Sequence, residues 1–88
     1  MIQIFVENTD AAHDLFATMT DLNTSPPSVV LLNQRINRGA QAAVNVQEDG
    51  SGNCLVNVAC VSADDATVVK NFPNQQTQAN GIIQVVVF

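Results

Sequence analysis

Between Gly39 and Ser62 the chain alternates apolar and polar residues on either side of a glycine-rich turn, and few folds accept that pattern. The limbs are Gln41-Ala-Ala-Val-Asn-Val-Gln-Glu48 and Cys54-Leu-Val-Asn-Val-Ala-Cys-Val61, joined by Asp49-Gly50-Ser51-Gly52-Asn53. Side chains alternate faces along a strand, so Ala42, Val44 and Val46 share one face of the first limb. Cys54, Val56, Val58 and Cys60 share one face of the second. The simplest way to bury both is a β-hairpin pairing Val46 with Val56, Val44 with Val58 and Ala42 with Cys60. That register pairs Asp49 with Asn53 and leaves Gly50-Ser51-Gly52 as a loop, with Gly52 supplying the left-handed residue. A phosphate-binding reading of the loop fails, because no helix start and no lysine follow.

The same ribbon sets the cysteine chemistry. Cys54 and Cys60 lie six residues apart in one strand, about 20 Å at the usual rise per residue and far beyond disulfide reach. Two thiols on an apolar face are small core hydrophobes rather than nucleophiles or ligands, and free thiols suit a reducing compartment. No basic-plus-apolar leader and no long apolar run is present, so a cytoplasmic location is expected, with no membrane partner.

Outside the ribbon the pattern mixes two periods. Met1–Glu7 alternates as a strand, with Ile2, Ile4 and Val6 on one face. Asp10 reads as the N-cap of a helix to about Leu22, with Ala12, Leu15, Phe16, Met19 and Leu22 as its buried stripe. After the Pro26-Pro27 loop, Val29-Val-Leu-Leu-Asn33 is a strand, extending as far as Ile36. Its lack of alternation requires burial on both faces or a cover. A turn at Asn37-Arg38-Gly39 leads into the ribbon. Ser62-Ala-Asp-Asp65 resembles a capping box, which predicts a short helix to Phe72 ended by Pro73. Asn74–Gly81 is an amide-rich loop and Ile82–Phe88 a last strand, with Ile83, Val85 and Val87 on one face.

Strand, helix, strands, helix, strand in one 88-residue domain predicts an α+β fold. It would be two-layered, a mostly antiparallel sheet with two helices on one face: the ferredoxin-like βαββαβ order, or a variant with one extra strand. Two short helices cannot cover both sides of such a sheet. The uncovered apolar strand surface at Val30, Leu32, Ile82, Gln84, Val86 and Phe88 is therefore the expected interface of a homo-oligomer or a contact for another protein.

Charge excludes more than it suggests. Only 12% of residues are charged, the net charge is −5 and Lys70 is the one lysine. That argues against nucleic-acid binding, which needs clustered lysine and arginine. His13 beside Asp10 or Asp14 is the one acid–base pair, but no nucleophile can be placed next to it, so no catalytic residue is assigned. One histidine and two core cysteines do not make a metal site, and no cofactor is expected. Arg35 and Arg38, in a turn, could grip an anion by bidentate hydrogen bonds. If they serve only as surface groups, replacing either by alanine leaves folding intact.

The leading functional expectation is thus a non-catalytic assembly or protein-binding module that self-associates through apolar strand surface. A small, amide-rich, lysine-poor chain of this kind suits a phage or mobile-element protein. The alternative is a small anionic-ligand-binding domain at the Arg35/Arg38 turn, with weak enzyme activity at most.

Overall fold

Seven strands and no helix make up the computed structural model, which describes residues 1–88. They are β1 (Ile2–Asn8), β2 (Leu15–Asp21), β3 (Ser28–Ile36), β4 (Gln41–Val46), β5 (Val56–Ser62), β6 (Val69–Gln75) and β7 (Ile82–Val85). One sheet has the order β4-β1-β7 and the other β3-β2-β5-β6. Their inner faces share a single core that includes Ile4, Val6, Leu15, Met19, Val46, Val58 and Val85. The architecture is an all-β sandwich, which corrects the expected α+β, ferredoxin-like arrangement.

Both expected helices are extended for identifiable reasons. Leu15 and Met19 are four residues apart, a spacing compatible with a period of 3.6 and equally with a period of 2. The strand reading wins: Leu15, Ala17, Met19 and Asp21 are buried, while Phe16, Thr18 and Thr20 alternate outward. β-Branched Thr18 and Thr20 favour that outcome. The capping chemistry at Asp10 is real but serves a turn. Its Oδ1 accepts the N–H groups of Ala12 (2.9 Å) and His13 (3.0 Å), and the chain then straightens into β2.

The second capping box likewise closes a hairpin. Ser62 Oγ accepts Asp64 N–H at 3.3 Å, and Asp65 Oδ1 accepts both N–H and hydroxyl of Thr67. Ser62 and Val68 then pair through their backbones, and Val69 pairs with Val61 in the β5–β6 ladder. Pro73 is accommodated because β6 is an edge strand.

The Gly39–Ser62 stretch is not a hairpin either. Its inward faces are as read: Val44, Val46, Cys54, Val56, Val58 and Cys60 are all buried. The local turn is also as read, with Asp49 N–H donating to the Asn53 carbonyl at 2.8 Å and Gly52 at φ 81°. The two limbs, however, part into different sheets. β4 pairs with β1, Ile4 opposite Val44, and β5 pairs with β2, Met19 opposite Val58. The apolar faces meet across the core instead of side by side. Asn23 holds the parted limbs, its amide donating to the carbonyls of Gln47 (2.9 Å) and Asn53 (3.2 Å).

Three strands facing four leave the outer strands of the larger sheet thinly covered. Ile36 is the one buried residue of β3, and β6 has none.

Candidate functional site

The β1–β2 connection is built on two side chains. Asn8 is fully buried; its Nδ2 donates to the carbonyls of His13 (2.9 Å) and Ile36 (3.0 Å), and its Oδ1 accepts Asp10 N–H (2.9 Å). Asp10 also takes the His13 ring at Nδ1 (2.9 Å) and Val87 N–H (3.4 Å). The Ala12 N–H and then the His13 ring hold the Asp10 carboxyl well below the usual range, at about 2. His13 in turn stacks on Phe88, with ring centroids 4.2 Å apart. The only acid–base pair of the chain thus fastens the C-terminal segment to the β1–β2 turn.

Arg35 and Arg38 are brought together, on a carboxylate sequence reasoning did not pair with them. Asp14 Oδ2 accepts Arg35 Nη2 at 2.9 Å, and Asp14 Oδ1 accepts Arg38 N–H at 2.9 Å with Arg38 Nε 3.6 Å away. The Arg38 N–H, followed by the Arg35 guanidinium, lowers the Asp14 carboxyl. Arg35 Nε also donates to Asn37 Oδ1, and its guanidinium lies over the Phe16 ring. Both arginines share Asp14 as their counter-charge while their side chains stay more than half exposed. The Asn74–Asn80 loop runs along the other sheet, Asn80 N–H donating to Gln3 O, and does not join them.

Of the expected interface residues, Ile82, Gln84 and Phe88 are exposed and Val86 half-buried, along the β7 edge of the smaller sheet. Val30 and Leu32 lie on β3, which packs against β4, at the opposite edge of the sandwich. The six residues therefore form two surfaces. On β3, Val30 and Leu31 are half-buried against the core, while Val29 is 57% and Leu32 74% exposed. Register shifts opposite Ala17–Met19 and Met19–Thr20 break the alternation there, which is how four successive apolar residues came to lack a single inward face. Asn33 takes φ 47° at the first of these, and the Thr18 hydroxyl accepts its N–H at 3.1 Å.

The two thiols are free and buried, and burial pushes Cys60 up to about 11 and raises Cys54 as well. Neither is poised as a nucleophile.

One feature escaped the sequence altogether: a groove of about 330 Å3 on the outer face of the larger sheet, between β2 and β6. Pro73, read from the sequence as the end of a helix, lies inside β6 and marks the disturbed ladder there. Comparison of the chain with protein-family models, curated proteins and solved structures finds no match.

Proposed function

We propose that this chain is a non-catalytic assembly module, and that its partner along β3 is a second copy of itself. One contrast carries the reading. β3 and β6 are the two thinly covered strands of the same sheet. On β6 the bare positions are Val69, Lys70, Asn71, Pro73 and Asn74, and Val69, at the start of the strand, is the one large apolar side chain among them. On β3 they include two large apolar side chains, Val29 and Leu32, which flank Val30 and Leu31, half-buried against the core.

Edge strands are ordinarily shielded by charge, proline or shortness. β3 has nine residues, the longest strand here, and its first seven carry no charge and no proline. Two such edges brought together bury apolar surface and pair open backbone groups, and no charged side chain of Ser28–Gln34 adds to the general repulsion between two chains of net charge −5. An anion at the Arg35/Arg38 turn would have to compete with Asp14, which already faces both guanidinium groups.

Analytical ultracentrifugation at micromolar concentration is the test. The wild-type chain is expected to sediment as a dimer, Leu32→Lys as a monomer, and Ile82→Lys, on the other sheet, as a dimer. A wild-type monomer, or dissociation by Ile82→Lys with Leu32→Lys still dimeric, overturns the proposal.

A further inference from the structure

The groove on the outer face of the larger sheet has a defined origin. In the β5–β6 ladder Val56 pairs with Gln75 and Val58 with Phe72, so Pro73 and Asn74 together oppose Asn57. Asn74 takes φ 54° and donates its N–H to Asn57 Oδ1 at 2.9 Å, which fixes β6 bent away from β5. Two cross-strand rows then line the opening. Thr18, Ala59 and Asn71 form one, and Thr20, Asn57 and Pro73 the other. Ala59 is the low point between longer neighbours, and Thr18 and Asn71 stand two strand spacings apart, about 10 Å.

The chemistry of the lining is selective. No lining residue is charged, which leaves nothing to hold a phosphate, a carboxylate or a metal ion. Lys70, adjacent in sequence, is drawn over the Phe72 ring at 5.8 Å and does not line the opening. Thr18 is already occupied by Asn33. The Thr20 hydroxyl, the Asn71 amide and Asn57 Nδ2 have no partner within the chain and face the opening unspent. Pro73 and Ala59 supply apolar wall and floor, while the Phe72 side chain, opposite Val58, turns to the inner face and packs against the core. Neutral hydroxyls and amides beside an apolar wall complement a ligand with hydroxyl groups on its rim and C–H groups on its face. The volume, about 330 Å3, is at the small end of ligand sites.

We infer that this groove binds a neutral pyranose sugar, either free or at the end of a glycan, through Thr20, Asn57 and Asn71 with Pro73 and Ala59 against its apolar face. The site is on β2, β5 and β6 and goes beyond the assembly reading, which uses β3; Leu32→Lys leaves sugar binding unchanged.

The probe is a panel of neutral monosaccharides titrated into the isotopically labelled full chain and followed by two-dimensional NMR. Affinity in the millimolar range is expected for so small a ligand, with shifts centred on the side-chain amides of Asn57 and Asn71. Asn71→Ala and Thr20→Val each weaken binding about tenfold, and Ala59→Phe, which fills the low point, abolishes it. The dispersion of the same spectra verifies that each variant is folded. An array of immobilised neutral glycans separates the sources: binding there tighter than to the free sugars assigns a glycan terminus, and equal or weaker binding assigns the free sugar. Absence of amide shifts with every neutral sugar, shifts that persist in Ala59→Phe, or equal binding of an acidic sugar overturns the inference.

Discussion

Replacing Asn8 by alanine should cost this small domain a large part of its stability. The side chain is fully buried and makes three hydrogen bonds of 2.9–3.0 Å, to the carbonyls of His13 and Ile36 and from Asp10 N–H. Alanine removes all three and leaves the backbone groups behind. A buried polar group without a partner costs about 1–3 kcal/mol. The Ile36 and Asp10 bonds are buried and the His13 bond only partly so, which gives a total of about 3–5 kcal/mol. A domain of this length has a stability of about 4–13 kcal/mol at the usual value per residue. Urea denaturation at neutral pH, followed by far-ultraviolet circular dichroism, reads the difference. With a slope of about 1 kcal/mol per molar urea, the midpoint falls by about 3 M or more. Asn45, exposed on β4 with no side-chain bond, is the control, and Asn45→Ala should stay within about 0.5 kcal/mol. A loss below about 1 kcal/mol for Asn8→Ala would refute the reasoning, since the three groups would then have found other partners.

Two further outcomes follow from charge and burial. Asp10 has its carboxyl depressed from 3.8 to about 2 in the fold, so its contribution is complete above about pH 4 and is lost as pH falls toward 2. Melting temperature should therefore drop across that window, and Asp10→Asn should flatten the drop; a wild-type melting curve insensitive to pH there counts against the clamp. Cys54 and Cys60 should resist a thiol reagent at mildly alkaline pH in the native state and both react in urea, whereas fast native labelling would place them outside the core.

Much of the core was legible in the chain, and the neighbours were not. Period-2 alternation put Ile4 and Val6, Val44 and Val46, Val56 and Val58, and Ile83 and Val85 inward, and all are buried. Alternation says which side of a strand is apolar but carries no information about which strand lies beside it. Leu15 and Met19 misled because a separation of four satisfies both periods. Asp10 and Ser62 misled because an oxygen that accepts N–H groups two or three residues on stabilises a turn as well as a helix start. The arginine cluster was half visible: Arg35 and Arg38 do converge, but Asp14 reaches them only because β2 is extended and antiparallel to β3. The groove depends on Thr18, Ala59 and Asn71 lying in one row across three strands, which no local pattern reveals.

The parting of β4 and β5 explains why the chain needs no helices. A hairpin would set both apolar faces on the same side of one sheet, and a second layer would have to come from elsewhere. No helix supplies it, since Leu15–Asp21 and Val69–Gln75 are themselves strands. Sending β4 to β1 and β5 to β2 makes each limb part of the other's cover, so one stretch furnishes both layers. The turn chemistry permits this because Asp49 Oδ1 accepts Ser51 and Asn53 N–H locally, which fixes the bend without requiring a ladder below it. Asn23 then occupies the first carbonyls that a ladder would have used. The arrangement yields three strands against four, and that mismatch is what leaves Val29 and Leu32 exposed on β3. The apolar side chains that the fold's own strand count leaves bare on this edge are where the proposed second copy would complete the sandwich.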